Sequence, residues 1–403
     1  MSRKIKYFDS LFLIIKKMVA LSFGLIVYIF SFVIPRYKNR YSFGEWFGLE
    51  YKDNSMYLYE HARLDSDADS AWITKSERII KELSRSGRKV YHKDSIQGIW
   101  FQLTSKYFIS SVSSRDFNFF TIGFSAKLIQ FGHGPPIKTE QLSFTRYEKV
   151  RRYIRQRTID NIYMALSELP VFDDLLLRQY SLRPSQVIRS PSPRSDQFKK
   201  ALADKGDDRS AVRSLYNIGK GDLCIIYMPT HRDEGRTSNA IVNNINVIIA
   251  IINKINATSC VKLRCMVKLH FYDRHKIKHI PDSKYITVLS MDVSIPEIFL
   301  ASDIFVGDYS GVAYDYIYFK KPMIGFVPDY EVYRTENRGL HIDLNEIYGE
   351  LVFNESELYS LLSRLLDLPL EDRPIPICQS LFYRDVDLVG QSSALAWAIV
   401  KNS

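Results

Sequence analysis

The sequence predicts an α/β protein built from two Rossmann-like domains that face each other across a cleft. Apolar runs that are too short for buried helices alternate with segments of helical composition, and this alternation is typical of parallel sheets. A Pro-Ser-Pro turn at residues 191–193 divides the alternation into two halves. With 403 residues, the chain is long enough for each half to bury its own hydrophobic core.

The composition is that of a globular protein with an anionic partner. Hydrophobic residues make up 46% of the chain, which excludes wholesale disorder. The formal net charge of +10 indicates nucleic acid, anionic lipid or a phosphate-rich substrate, and charge alone does not choose among them. The many aromatic residues follow no RNA-binding motif, so no nucleic-acid partner is expected. The cysteine spacing fits no zinc site, and no metal-binding residue is predicted.

Residues 1–40 form a basic and apolar segment that differs from the rest of the chain. Its uncharged stretch, residues 18–34, lies at the short limit for a membrane-spanning helix, and cationic side chains flank both ends. Charge on both flanks favours a helical segment lying on the cytoplasmic membrane surface, with its lysines on anionic headgroups, over a single span. A buried helix pair is the alternative.

The first domain is predicted to cover residues 41–190, the second residues 191–370, and a helical tail residues 371–403. The predicted strands of the first domain are residues 71–74, 89–91, 107–110, 127–131 and 162–166. Those of the second domain are residues 223–228, 266–269, 286–289, 304–306 and 323–327.

Polar residues directly follow several predicted strands of the second domain. The sequence P-T-H-R-D at 229–233 follows the first strand, His270 the second, Asp308 the fourth and Asp329 the last. Because the carboxyl ends of parallel strands form the ligand crevice of an open sheet, these side chains should converge on one site.

The stretch 292–343 contains one complete βαβ unit. The strand 304–306 leads through a polar turn into a helix over residues 312–319 and then into the strand 323–327. The turn directs helix N-terminal N–H groups above the sheet, where a phosphate would bind. Helix capping by Asp308 and Ser310 is the alternative interpretation of the same residues.

Five short motifs follow one another here: D-Y-S-x-V at 308–312, an Asp-Tyr pair at 315–316, K-P at 321–322, D-Y-E-x-Y at 329–333 and R-G at 338–339. In this order and spacing they resemble the CDP-glycerol glycerophosphotransferase family. Upstream, S-P-R-S-D at 192–196 is similar to the family's G-x-P-R-x-D linker, and P-T-H-R-D to its P-T-W-R. The resemblance implies a GT-B fold over residues 40–390 and a role in the synthesis of teichoic acids or related capsule polymers.

The loop F-G-H-G-P-P-I-K at residues 131–138 closes a strand of the first domain. Glycines on both sides of His133 let the backbone approach a ligand, and a histidine can take a proton from an attacking hydroxyl near neutral pH. The loop is similar to the family's W-H-G-T-P-L-K motif apart from Gly132 and Pro135, and the resemblance makes His133 a candidate catalytic residue. A structural loop histidine is the alternative.

A second histidine motif, V-K-L-H at 267–270, resembles the family's K-x-H-P. The resemblance makes His270 the other catalytic candidate, which we expect to bind or protonate phosphate oxygens of the donor. A histidine bound to a backbone carbonyl is the alternative. Arg338 would pair with the same pyrophosphate, because guanidinium groups bind phosphate in bidentate fashion, and a surface arginine is the alternative there.

The remaining candidates divide between the two substrates. Ser310 and the N–H of Gly311 would seat a phosphate, while the nearby carboxylates would hold ribose or glycerol hydroxyls, or cap loops. The basic run 147–157 would attract a polyanion or a membrane, or form a solvated helix face. The predicted donor-binding residues are Thr230, Arg232, Ser310, Gly311, Asp315, Asp329 and Arg338, and the predicted acceptor-binding residues are Gly134 and Lys138.

Together these assignments predict transfer of glycerol phosphate from CDP-glycerol to a hydroxyl of a membrane-linked glycan or growing polymer, with release of CMP. We expect no tightly bound cofactor, and the need for a divalent metal is left open. The expected partners are a CDP-activated polyol, a lipid-linked acceptor and the anionic cytoplasmic face of the plasma membrane. Two alternatives remain: a CDP-ribitol or sugar-nucleotide donor, and a catalytically inactive membrane-surface scaffold.

Overall fold

The computed structural model describes residues 22–123, 125–134, 162–180, 182–203, 207–232, 239–337, 340–369, 372–374 and 390–403. The strands in these ranges are β1 (Tyr37–Gly44), β2 (Asp69–Thr74), β3 (Val90–His92), β4 (Ser105–Ser110), β5 (Lys127–Gln130), β6 (Ile162–Ser167), β7 (Val187–Arg189), β8 (Leu223–Met228), β9 (Leu263–Val267), β10 (Ile286–Val288), β11 (Ile304–Gly307), β12 (Met323–Phe326) and β13 (Glu350–Val352). The helices are Ser22–Val33, Asp53–Ala62, Glu77–Arg85, Ile96–Thr104, Asp173–Tyr180, Asp196–Ala203, Asp207–Leu215, Ala240–Thr258, Ile295–Ala301, Val312–Tyr316, Tyr330–Val332, Glu355–Asp367 and Ser392–Lys401.

These strands form two parallel sheets with the same internal order. The first sheet runs β3-β2-β1-β4-β5-β6-β7, and the second runs β10-β9-β8-β11-β12-β13. In the first sheet, β1 to β3 run from the centre to one edge, and the chain then returns to the centre, from which β4 to β7 run to the other edge. The second sheet does the same with β8 to β10 and then β11 to β13. The strand order therefore reverses between β1 and β4 and between β8 and β11. This is the doubly wound Rossmann order, and it places a ligand crevice at the carboxyl ends of the strands beside each reversal. The predicted two-part α/β fold is confirmed.

The core of the second domain explains why its strands are apolar on both faces. Along β8, Cys224 and Ile226 point into a core cluster that contains Phe299, while Ile225 and Tyr227 point into a cluster on the other face. That second cluster is completed by the helix Ala240–Thr258. By length and composition this helix is apolar enough to cross a membrane, but six of its isoleucines pack into the core, and core packing accounts for its composition.

The strands predicted from the sequence are present, but β1, β7 and β13 were missed. β1 begins at Tyr37, within the part of the chain assigned to the membrane segment. Arg36 and Arg40, counted from the sequence as a cationic flank of that segment, bind inside the first domain instead. Arg36 Nη1 donates to the carbonyl of Ser105 at 2.7 Å, and Arg40 Nε donates to Asp69 at 2.7 Å. The domain boundaries themselves stay predictions.

The C-terminal helix Ser392–Lys401 packs against the first domain. The Trp397 ring lies 4.8 Å from that of Tyr41 and donates its indole N–H to Asp65 at 2.9 Å. At the other end of the helix, Asp196 accepts hydrogen bonds from three backbone N–H groups, those of residues 390, 392 and 393, each at 2.9 Å. Asp196 therefore caps a helix that is distant in the sequence and fixes the end of the chain beside the linker between the sheets.

Asp196→Ala should lower the free energy of unfolding by about 1–2 kcal/mol, because the N-terminal N–H groups of the C-terminal helix lose their acceptor. Urea unfolding measures the effect, with Asp282→Ala, at an exposed loop position, as the control. Equal stabilities of the two variants would show that the cap contributes nothing.

Candidate active site

The strand ends at the β8–β11 reversal bring the predicted polar residues together. Thr230 and Arg232 follow β8, and Asp308 follows β11. Asp308 accepts the backbone N–H of Thr230 at 2.9 Å and the Arg232 Nη2 at 2.9 Å. Asp329, after β12, accepts Arg232 Nε at 3.0 Å and the hydroxyl of Tyr309 at 2.9 Å. Of the four strand ends predicted to converge, those of β8, β11 and β12 are joined here, and Asp308 acts as an ion-pair partner rather than as a helix cap.

Arg232 lies at the centre of this cluster. Its guanidinium carbon is 4.9 Å and 5.0 Å from the ring centres of Tyr309 and Tyr333, which stack on each other at 3.6 Å. Burial lowers the pKa of Arg232, but the carboxylates of Asp308 and Asp329 outweigh burial and raise it. Because Nε, Nη1 and Nη2 all have protein partners, this arginine holds the strand ends together, and its predicted contact with the donor stays a prediction.

Two hydroxyl groups beside this cluster have weak or no protein partners. Thr230 Oγ1 is buried and has no hydrogen-bond partner among the described residues. Ser310 is partly exposed, and among the described residues its Oγ accepts a single long contact, of 3.4 Å, from the N–H of Val312. Gly311, also partly exposed, precedes the short helix Val312–Tyr316. Both hydroxyls lie at the reversal point of the second sheet, and their predicted contacts with the donor stay predictions.

His270 lies beside a second histidine. His270 is exposed after β9, and its ring centre is 5.6 Å from that of His231 and 5.3 Å from that of Tyr272. His231 Nδ1 lies 2.8 Å from the buried carboxylate of Asp273. Sequence reasoning selected His270 but gave no role to His231 or Asp273. The position of His231 directly after a strand could have revealed it, whereas Asp273 is brought in only by the turn that follows β9.

His133 projects from the end of β5 on a backbone that depends on glycine. Gly132 has φ +65° and Gly134 has φ +127°, conformations that other residues rarely adopt. The ring of His133 is exposed and lies 6.0 Å from that of Trp46, which follows β1. The His133 carbonyl accepts a hydrogen bond from Arg194 Nη1 at 2.8 Å, and a Cβ on Gly134 would lie 3.1 Å from the same guanidinium. The loop is thus fitted closely against Arg194.

Arg194 connects the linker to both domains. Its Nη1 lies 3.3 Å from Asp53 in the first domain, and its Nη2 donates to Asp315 in the second domain at 3.0 Å. Burial lowers the pKa of Arg194, but Asp315 and Asp53 outweigh burial and raise it. Asp315, predicted to bind the donor, is therefore engaged by Arg194, and its donor contact stays a prediction. The linker motif S-P-R-S-D contained this arginine, but its partners could not be inferred from it.

A lysine of the first domain affects the ionisation of a lysine of the second. Lys52 Nζ lies 5.1 Å from the Trp46 ring in the first domain. Burial lowers the pKa of Lys268 in the second domain; Asp292 opposes that change, and the positive charge of Lys52 adds to it. Lys268 lies two residues before His270, and its Nζ donates to the carbonyl of Met291 at 3.1 Å. Lys138, Arg338 and the basic run 147–157 lie outside the described residues.

The model of the CDP-glycerol:poly(glycerophosphate) glycerophosphotransferase family matches residues 26–375. The chain belongs to this family. A teichoic acid poly(glycerol phosphate) polymerase from Bacillus spizizenii is 23% identical to this chain, over 80% of this chain's length and 84% of the polymerase's length. A teichoic acid glycerol-phosphate transferase from Staphylococcus aureus is 23% identical, over 81% and 84%. A structure of the wall teichoic acid polymerase TagF superposes with a TM-score of 0.68 at 17% identity, over 100% of this chain and 98% of that one.

This glycerophosphotransferase therefore has the GT-B-like fold that its motifs implied, and the resemblance drawn from the sequence is confirmed. At 17% identity the likeness to TagF shows the fold alone, so the roles of individual residues depend on their own geometry. That geometry distinguishes the arginines held in ion pairs from the exposed histidines. Arg194 and Arg232 are buried and paired with buried or partly buried carboxylates, whereas His133 and His270 are exposed.

The glycerophosphotransferase also buries a carboxyl group, Glu168, beside Arg194. Burial raises the pKa of Glu168 to about 7, and the positive charge of Arg194 opposes the rise. Because the folded state binds this proton more tightly than the unfolded state, stability should fall as pH rises from about 4.5 to 7.

In Glu168→Gln, the loss of unfolding free energy between pH 5 and pH 8 should be smaller than in the wild type, on the order of 1 kcal/mol or more, because the amide cannot ionise. Urea unfolding at both pH values measures the difference. Glu346→Gln, which changes an exposed carboxylate, is the matched control. A pH dependence in Glu168→Gln identical to the wild type would contradict the assignment.

Proposed function

We propose that this glycerophosphotransferase moves glycerol phosphate from CDP-glycerol to a hydroxyl of a membrane-linked glycan or growing polymer and releases CMP. One observation carries the assignment of the reaction to this cleft. The His133 loop of the first domain and the Asp315 helix of the second are joined through the same buried guanidinium, that of Arg194. Arg194 thereby holds the His133 loop, which follows a strand of the first sheet, against the Asp315 helix beside the reversal point of the second sheet.

On the acceptor side, His133 acts as the base. Its imidazole is exposed on a loop whose main chain is fixed, and it takes the proton of the acceptor hydroxyl. The resulting oxygen attacks the β-phosphorus of CDP-glycerol, and the bond from that phosphorus to the bridging oxygen breaks. The glycerol phosphate then belongs to the acceptor, and CMP leaves with the bridging oxygen. Gly134 and Lys138 are proposed to contact the acceptor beside this histidine.

On the donor side, His270 and the groups around the β8–β11 reversal bind the diphosphate. The Thr230 hydroxyl lacks a described partner, and the Ser310 hydroxyl has only a long one, so both are available to donate to phosphate oxygens. Gly311 and Arg338 complete the proposed set. Lys52 and Lys268 add positive potential, which stabilises the charge that develops on the leaving CMP.

The buried ion pairs support this site from below. Arg232 and Asp329 tie the ends of β8, β11 and β12 together, and Asp315 anchors Arg194. We propose that these three residues position the donor-binding groups, with direct contact to the donor as a further prediction for each.

His133→Ala and His270→Ala should each lower the rate of CMP release by about 10²–10⁴-fold, because one variant loses the base and the other a group that binds the phosphate. The assay uses CDP-glycerol, with CDP-ribitol and a sugar nucleotide as competing donors, and a lipid-linked acceptor.

The control for these variants is His92→Ala, at the end of the edge strand β3. Circular dichroism checks that each variant is folded. Wild-type rates of polymer synthesis in a folded His133→Ala enzyme would support a catalytically inactive scaffold, and faster CMP release with another donor would reassign the substrate.

We also propose that the enzyme lies on the cytoplasmic face of the plasma membrane through the helix Ser22–Val33. The helix presents small residues to the protein: Gly24 lies against the Phe120 ring, and Val27 packs with Ile99 and Leu103. Its large apolar side chains point outward, the reverse of an ordinary surface helix. The exposed ones are Phe23, Leu25, Ile26, Tyr28, Ile29, Phe30, Phe32 and Val33.

Neighbouring residues fit an anionic lipid surface as the partner of this helix. Ile96 and Trp100 are exposed on the helix that packs against it. Burial lowers the pKa of Lys106, and the charges of Lys127 and Lys38 lower it further, so several cations lie close together next to this apolar surface.

The double variant Ile26→Glu/Ile29→Glu should reduce binding to anionic phospholipid vesicles at least about tenfold, because two exposed apolar side chains become charged. Vesicle flotation measures the bound fraction. Leu215→Glu is the control, since Leu215 is even more exposed than Ile26 and Ile29 but lies in the second domain. Equal binding by the two variants would remove the helix from the membrane contact.

A further inference from the structure

Two histidines and one aspartate form a cluster at the carboxyl ends of β8 and β9. His231 follows β8, and His270 and Asp273 follow β9. One possible metal-ligand atom from each of the three lies within 4.8 Å of those of the other two. Asp273 is fully buried, His231 is partly exposed and His270 is exposed, so the cluster has a closed side in the protein and an open side at the cleft.

The carboxylate of Asp273 is incompletely satisfied. Its Oδ2 lies 2.8 Å from His231 Nδ1. Lys276 Nζ lies 2.8 Å from Oδ1 but outside hydrogen-bond geometry, so Oδ1 has no hydrogen-bond partner among the described residues. A buried carboxylate is costly unless its charge is paired and its oxygens are hydrogen-bonded or bound to a metal. A buried carboxylate with one oxygen outside any described hydrogen bond, grouped with two imidazoles, is a feature that points to a cation.

We propose that His231, His270 and Asp273 bind one divalent transition-metal ion of the Zn²⁺ or Mn²⁺ class. Imidazole nitrogen and carboxylate oxygen are ligands that such ions take, and three protein ligands leave at least one position open. Mg²⁺ prefers oxygen ligands and binds this set poorly. The site goes beyond the proposed reaction, because the binding of the ion needs neither donor nor acceptor.

The geometry requires only local movement. Ligand atoms on one ion, each about 2.0–2.2 Å from it, lie roughly 3.0–3.6 Å apart, so the present spacing closes by about 1–2 Å. The two imidazoles are at least partly open to solvent and reach this spacing by side-chain rotation, while Asp273 stays in place.

The ammonium group of Lys276 pairs with the carboxylate of Asp273, so it would compete with a metal ion for that carboxylate. Removing that ammonium should strengthen metal binding, whereas removing a ligand should weaken it. A histidine–aspartate pair that only stabilises the fold predicts no increase in metal affinity when Lys276 is replaced. Opposite changes in metal affinity, an increase on replacing Lys276 and a decrease on removing a ligand, therefore distinguish a metal site from a structural cluster.

The test uses the full chain, freed of metal with a chelator and titrated with Zn²⁺ in competition with a chromophoric chelator. The wild type should bind one Zn²⁺ per chain. His231→Trp, which places the aromatic residue of the family motif, and Asp273→Asn should each weaken binding by about 10–100-fold or more. Lys276→Gln should strengthen it several-fold. The double variant His275→Ala/His279→Ala, which removes two neighbouring histidines outside the cluster, is the control and should bind like the wild type.

Two results would overturn the site: binding of less than one Zn²⁺ per chain, or equal affinity in the wild type, His231→Trp and Asp273→Asn. Unfolding midpoints check that the variants are folded, and if Asp273→Asn does not fold, His231→Trp alone decides. Zn²⁺ binding is measured without substrates, so failure of this site and failure of the proposed transfer reaction appear in different experiments.

Discussion

The ion pairs of Arg194 set the geometry on which the rest of the structure depends. One buried guanidinium binds a carboxylate from each domain and the carbonyl of His133. Removing either partner of a buried pair leaves an uncompensated charge at a cost of about 3–5 kcal/mol. The contact between the domains and the placement of the His133 loop therefore depend on one side chain of the linker.

The second sheet repeats this arrangement at its own reversal point, where Arg232 lies between Asp308 and Asp329. In both sheets, an arginine with two carboxylates holds the loops that follow the parallel strands. Because these charges are paired internally, they hold the ends of neighbouring strands together. His133 and His270 are exposed, whereas the Thr230 hydroxyl is buried and has no hydrogen-bond partner among the described residues. Burial therefore separates the two arginines from the histidines, but not from Thr230.

Most strands of the second domain could be predicted from the sequence, but the ion pairs between their ends could not. Its central strands are buried on both faces and read as continuous apolar runs, whereas β1 carries Lys38 and Arg40 and resembles the flank of a membrane segment. Three-residue strands such as β13 are too short for any periodicity. The ends of the predicted strands indicated which residues lie together. Asp308 nevertheless looked like a helix cap, because its partner Arg232 is 76 positions away. Pairings of that range depend on the order of strands, which local pattern does not encode.

The same limit applies to the departures from the family motifs. Gly132 stands where the family motif has tryptophan, which suggests from the sequence that an aromatic contact beside His133 is lost. The indole of Trp46, from the end of β1, lies 6.0 Å from that imidazole, and the positive φ of Gly132 lets the loop turn beneath it. His231, at another tryptophan position, still presents a ring to His270. Contacts across neighbouring strand ends therefore maintain the surroundings of both histidines, and a motif substitution changes the chemistry of the cleft without removing its packing.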